Sequence, residues 1–209
     1  MSADKTTYAE FLIRRLHSLT GLAPLAVFLG FHLFANSYST KSGGAFNSIV
    51  DSLRGMPYLP FIEWGLLLSP FIFHMVAGVW IIVTGQPNIL RQNRPRNWAY
   101  VAQRVTAVVV FVFIIYHVVT MKYVYLDSTP MDYYEILRAK FATPWIYWWY
   151  VIGIACAAFH LANGLCTFCM TWGITVTRQS QRLTAAALAA AGMILFAIGL
   201  TALNGFTHG

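Results

Sequence analysis

The chain has 209 residues, of which 58% are hydrophobic and only 10% charged. Soluble domains carry about 25% charged residues, so this composition excludes an ordinary soluble core and indicates an all-α, polytopic membrane protein. The formal net charge is +7, but no separate basic domain carries it, which speaks against nucleic-acid binding.

Met1 to Glu10 is polar and contains Asp4 and Glu10, which does not fit a cleavable signal segment. A membrane-spanning helix needs about 20 mostly apolar residues. Five stretches qualify, at about 15–35, 62–84, 100–119, 145–172 and 183–203, within a single membrane domain covering residues 1–209. Pro24 and Pro70 fall inside the first two and predict kinks, with neighbouring helices satisfying the freed carbonyls. The fourth stretch is long enough to tilt or to project from the bilayer. The loops 36–60 and 122–144 each exceed 20 residues and have room for short interfacial helices. Tyr123 and Tyr125, then Trp145, Tyr147, Trp148, Trp149 and Tyr150, read as an aromatic belt at one membrane boundary. Cys156, Cys166 and Cys169 share one apolar stretch. Cys166-x-x-Cys169 lacks the second pair of a zinc or redox site, so the three read as packed, reduced thiols.

The charges sort by side. Lys5, Arg14, Arg15, Arg91, Arg94, Arg96, Arg104, Arg178 and Arg182 stand with only Asp4 and Glu10 on one side. On the other, Lys41, Arg54, Lys122, Arg138 and Lys140 are balanced by Asp51, Glu63, Asp127, Asp132 and Glu135. By the positive-inside rule the N-terminus is expected in the cytoplasm and the C-terminus outside.

Four histidines lie inside four different apolar stretches. His32 to His74 spans 42 residues and His117 to His160 spans 43; His74-x-x-x-Gly78 is matched by His160-x-x-x-Gly164. A two-helix unit is thus repeated. A small residue one turn from each histidine leaves room for a flat ligand or lets helices pack closely. At about 1.5 Å per residue, His32 and His117 lie roughly 6–8 Å below the outer end, and His74 and His160 roughly 16–23 Å below it. An outer and an inner pair result.

Two imidazoles facing across a bundle are the usual ligands of a six-coordinate b-type haem, and the bundle core is where such cofactors sit. Zinc is disfavoured, because its sites want three or four protein ligands. A proton relay usually enlists carboxylates, and the stretches have none in their interiors. Arg14, Arg15, His17, Ser18 and Arg104 lie near the inner edge, where anionic haem propionates need donors. Arg91, Arg94 and Arg96 are read as topology signals only. His17 is read as part of a polar network, and His208 as solvated. Two haems stacked across the membrane form an electron wire. The sequence has no nucleotide motif, Gly-rich phosphate loop or iron–sulfur cysteine cluster, so substrate chemistry needs a soluble partner, for which the basic inner face is a dock.

The segment Arg15-Leu16-His17-Ser18-Leu19-Thr20-Gly21, followed by Phe31-His32-Leu33, resembles the opening of the five-helix dihaem cytochrome b subunit of succinate:quinone oxidoreductases. That family includes succinate dehydrogenases and quinol:fumarate reductases. The likeness continues through Ala45-Phe46-Asn47, Phe73-His74, Arg96-Asn97-Trp98, Gln103-Arg104-Val105-Thr106 and His117. It covers the first four apolar stretches; the fifth is generic.

The resemblance implies a membrane anchor for a flavoprotein and an iron–sulfur subunit on the cytoplasmic face of a bacterial inner membrane. It implies that His74 and His160 bind the proximal haem and His32 and His117 the distal one, with the first four helices as the haem-binding bundle. It places His17 and Ser18 against a proximal haem propionate, with Arg15 and Arg104 as further donors, and implies menaquinone near the distal haem. This chain would then perform only electron transfer and quinone chemistry. Glu63 is the one acid at the outer mouth of the second stretch and is the quinone-site candidate. Some fumarate reductases of this kind carry a Glu two residues before the ligand on the fourth helix; here that position is Ala158, so the resemblance does not extend to that proton route.

Two other readings are weighed against this. A cytochrome b of a hydrogenase or formate dehydrogenase type often docks its partner outside, which the neutral outer face does not favour. A haem-free transporter would want broken, polar helices, and the interiors offer little beyond Asn163.

Overall fold

The computed structural model describes residues 2–85, 93–126 and 132–208, with the side chains of residues 2–7, 123–126 and 208 excepted. Arg91 and Asp127, and the side chains of Asp4, Lys5, Tyr123, Tyr125 and His208, therefore lie outside the described residues. Every regular element among the described residues is helical: α1 (Tyr8–Thr40), α2 (Gly43–Arg54), α3 (Leu59–Thr84), α4 (Pro95–Lys122), α5 (Tyr133–Phe141), α6 (Pro144–Thr171) and α7 (Arg178–Thr207).

Five of these, α1, α3, α4, α6 and α7, are long and apolar enough to cross a bilayer, at 26 to 33 residues each. They run past the apolar stretches because backbone hydrogen bonding continues through the polar residues at each end, whereas hydropathy marks only the hydrocarbon-facing part. Around both prolines the helix widens into π-helical turns. Gly21–Ala26 holds Pro24, and Ile62–Leu68 directly precedes Ser69 and Pro70. Proline lacks the N–H that the next turn requires, and a wider turn re-routes the ladder.

The helices alternate in direction, so the bundle has a basic end, with the N-terminus and the turns before α4 and α7, and a neutral end. The neutral end is closed by α2 and α5, the short helices for which the long loops have room. Each has a side-chain cap: Ser42 accepts from the Ala45 amide at 3.1 Å, and Asp132 from the Glu135 amide at 3.1 Å. Asp132 also accepts from the Asn47 amide group at 2.7 Å, and Asn47 Oδ1 from the Tyr134 amide at 3.0 Å, which stitches α2 to α5. These hydrogen bonds, led by that from Asn47, hold the Asp132 carboxyl below the usual carboxylate range.

Helices α1 and α3 form one antiparallel pair and α4 and α6 the other. Helix α7 packs along α6 and against α1. At Gly199 a Cβ would stand 2.6 Å from Ile154, so the small residue lets α7 lie close on α6. The fifth helix, generic in sequence, supplies the most buried core residues. Ala202, Leu203 and Phe206 are buried, and Leu203 and Phe206 pack at the neutral end with Phe46, Tyr134, Leu137, Phe141, Ile146 and Tyr150. Ser39 donates to the Ala202 carbonyl at 2.7 Å, and Tyr134 to the Gly205 carbonyl at 2.8 Å. In contrast, much of the apolar surface of the spans is exposed, including Val27, Val76, Val83 and Met193, as lipid-facing helices require.

Candidate functional site

The four histidines meet in two pairs, each across two different helices. Toward the neutral end, His32 of α1 and His117 of α4 have ring centres 5.7 Å apart at an interplanar angle of 83°. Toward the basic end, His74 of α3 and His160 of α6 are 6.5 Å apart, also at 83°. Metal–nitrogen bonds of about 2 Å on opposite sides of one ion place two axial rings with centres about 6 Å apart. Both separations fall around that value. Among the described residues no three His, Cys, Asp or Glu side chains converge on one point.

The basic-end pair is held by two reciprocal latches. His74 Nδ1 donates to the His17 carbonyl at 2.9 Å, and His17 Nδ1 donates to the His74 carbonyl at 3.0 Å. His160 Nδ1 donates to the Gln103 carbonyl at 3.2 Å, and Gln103 Nε2 donates to the His160 carbonyl at 3.0 Å. Both latches join residues 57 apart in the chain. Thr20 and Thr106 hydrogen-bond the same two carbonyls, at 3.0 and 3.2 Å. A carbonyl only accepts, so each ligand-candidate ring is protonated on Nδ1 and presents the lone pair of Nε2. Orientation of a metal-binding imidazole through its other nitrogen is the usual device of such sites.

The glycines next to this pair make room for side chains. A Cβ on Gly21 would stand 2.7 Å from the His74 ring, one on Gly78 would stand 3.2 Å from His17, and one on Gly164 would stand 3.4 Å from Gln103. Of the two readings of the His-x-x-x-Gly repeat, the structure therefore displays close packing, with the glycines admitting the residues that orient the histidines. His17 lies parallel to His74, with ring centres 4.0 Å apart at 18°, within the polar network of the latch.

The neutral-end pair is built differently. Phe28 stacks on His32 at 5.3 Å and Phe113 on His117 at 5.8 Å. His117 Nδ1 meets the Tyr150 hydroxyl at 3.1 Å. Asn36 donates to the His32 carbonyl at 2.8 Å, with its amide nitrogen 3.5 Å from His32 Nε2. Lys140 of α5 donates to Tyr150 at 3.1 Å and to Thr120 at 2.7 Å. Burial pushes the Lys140 ammonium down to about 8.

The other candidates are engaged as follows. Arg15 stacks between Phe11 and Trp172, each at 5.0 Å, and Trp172 Nε1 donates to Ser18 Oγ at 3.0 Å. Arg104 lies 4.2 Å over the Tyr100 ring and donates to the Ile81 and Gly85 carbonyls at 3.0 and 3.1 Å. It thus satisfies the open carbonyls at the end of α3. Glu63 accepts from Lys122 at 2.6 Å across the mouth between α3 and α4. Arg14 pairs with Glu10 at 2.8 Å, and Arg96 donates to the Met170 sulfur. Arg94, Arg178 and Arg182 remain exposed at the basic end.

From sequence, Gln103, Thr20, Thr106, Tyr150 and Lys140 have no assigned role in the site, although each stands in a motif, the belt or the charge balance. A signal for the first was present: Gln103 stands 86 residues after His17, the separation of His160 from His74. Asn163 donates to Gln103 Oε1 at 2.8 Å.

Residues 86–200 match a family model described as the succinate dehydrogenase/fumarate reductase transmembrane subunit. Over 197 residues the chain is 33% identical to the succinate dehydrogenase cytochrome b558 subunit of Bacillus subtilis (strain 168), covering 94% of this chain and 97% of that relative.

Proposed function

The chain belongs to the family of succinate dehydrogenase/fumarate reductase transmembrane subunits, and on that premise we propose that it carries electrons across the membrane on two b haems. One haem is held by His74 and His160, the other by His32 and His117. The observation that carries this reading is the pairing itself: two imidazole pairs from four helices, at separations suited to axial ligation. Three of the four rings have Nδ1 engaged, which leaves Nε2 for a metal. When bound, haem supplies one-electron transfer at a potential tuned by its ligands and surroundings.

The chain's own residues orient the ligands and keep water out. The latches fix the rings of His74 and His160, and the neutral-end core around Phe113 and Tyr150 seals the other pair. Arg15 and Ser18, clustered with Trp172, are the propionate donors at the basic end; His17, whose Nδ1 proton goes to the His74 carbonyl, donates to a propionate from Nε2 only as the imidazolium. Arg104 contributes only by exchanging its carbonyl partners. The basic end faces the cytoplasm and docks the iron–sulfur and flavoprotein subunits through exposed Arg94, Arg178 and Arg182; the C-terminus is outside. Menaquinone is oxidised or reduced at the neutral end, where Glu63, paired with Lys122, accepts protons.

A redox-titrated reduced-minus-oxidised spectrum of the purified complex, with haem quantified per chain, tests this. Two b haems with separable midpoints are the expected result. One haem, or none, in an intact preparation overturns the two-haem wire.

A further inference from the structure

Lys140 is a cation within the neutral-end core. It lies on a short helix outside the spans, between the core residues Leu137 and Phe141, and is 3% exposed. Its neighbour Arg138 is exposed and pairs with Glu135, as a surface cation ordinarily does. A buried charge costs stability unless it is paired or well hydrogen-bonded. Here two hydroxyls, of Thr120 and Tyr150, receive its protons, and the Tyr116 and Tyr150 rings lie 5.3 and 5.1 Å from Nζ. Thr120 is one turn from His117 on α4, and the Tyr150 hydroxyl reaches His117 Nδ1. The ammonium is therefore one side chain removed from the imidazole, in a low-dielectric setting where charge acts strongly.

We propose that Lys140, acting through Tyr150, raises the reduction potential of the neutral-end haem; this rests on His117 being a ligand of that haem. The direction follows from hydrogen bonding. With Nε2 on a metal, His117 carries its proton on Nδ1 and donates it to the Tyr150 oxygen. That acceptance makes the ring a stronger donor to iron and favours the oxidised state. An ammonium donating to the same oxygen weakens it as an acceptor, and its charge also favours the reduced, less positive centre. Tyr150 and Lys140 thus pull in opposite directions, and both are positioning residues rather than ligands. The basic-end histidines instead have backbone acceptors.

The test is spectropotentiometry of the intact complex carrying Lys140→Gln, Tyr150→Phe or Lys140→Arg, with haem counted in each. Lys140→Gln is expected to lower the neutral-end midpoint, Tyr150→Phe to raise it, and Lys140→Arg to stay near the parent. The basic-end midpoint is expected to hold in all three. Unchanged midpoints with both haems present overturn the proposal, as do shifts of one sign in Lys140→Gln and Tyr150→Phe. Loss of the neutral-end haem in either of these two variants also overturns it, because the side chain would then hold the haem itself. Retention of that haem in His117→Ala instead overturns the ligand assignment on which the proposal rests.

Discussion

At the basic end, His74 and His160 each give their Nδ1 proton to a backbone carbonyl, of His17 and of Gln103. At the neutral end, His117 meets the Tyr150 hydroxyl, and His32 has, among the described residues, the Asn36 amide from its own next turn. The first arrangement is symmetric because the two-helix unit is repeated, and a carbonyl offers the same acceptor whatever side chain its residue carries. The second is asymmetric, because its acceptor is a hydroxyl whose strength depends on a third group. Backbone latches make one pair geometrically robust; side-chain partners make the other adjustable.

The largest test of this contrast is removal of the ligands. His160→Ala is expected to cost the basic-end haem alone and His117→Ala the neutral-end haem alone, each lowering haem per chain from two to one by pyridine haemochrome assay. Loss of both haems from an assembled single variant would break the division into two pairs.

Next in size are the latches. Gln103→Leu removes the donor to the His160 carbonyl and strands Asn163; His17→Leu removes the matching donor to His74. Removing a group that orients a metal ligand typically costs about 10–100-fold in metal affinity; the orienting carbonyls of Gln103 and His17 stay in both variants, so each is expected to weaken haem retention at the basic end by less than that factor. Measured against a haem-accepting competitor, similar losses from both would sharpen the symmetry, and a neutral-end effect would contradict it.

Smaller still are two glycine substitutions that press on opposite pairs. Gly21→Ala sets a methyl against His74, and Gly153→Ala sets one against the Phe113 ring that stacks on His117. Overpacking of this kind costs about 1–3 kcal/mol, to be read as a lower Tm. The low-spin haem signals in electron paramagnetic resonance are expected to move at the basic end for the first variant and at the neutral end for the second.

The smallest structural effect belongs to Glu63→Gln. Its partner Lys122 and Glu63 itself are 46% and 37% exposed, and such pairs contribute about 0–1 kcal/mol. Neither haem is expected to move, and a fall in quinol-dependent turnover would carry the proton-acceptor role.

Much of the site is legible without coordinates because hydrocarbon tolerates few polar side chains. His32, His74, His117 and His160 stand out against their stretches, and helix rise orders them by depth. The partners are less legible for definite reasons. Tyr150 reads as one more belt aromatic between Trp149 and Val151, and Lys140 as one of five cations balancing five acids. Arg104 reads as a propionate donor, yet the open carbonyls at the end of α3 lie nearer to it than any residue in its own helix announces.

The sequence by itself determined the helical class, the spans, the charge asymmetry and the four histidines, since each follows from a one-dimensional pattern of hydropathy or spacing. Only the tertiary structure decided what each ring's second nitrogen touches. A hydrogen bond between residues 57 apart, or from α5 to α6, depends on how helices rotate and pack against one another, and periodicity along one chain carries no record of that rotation.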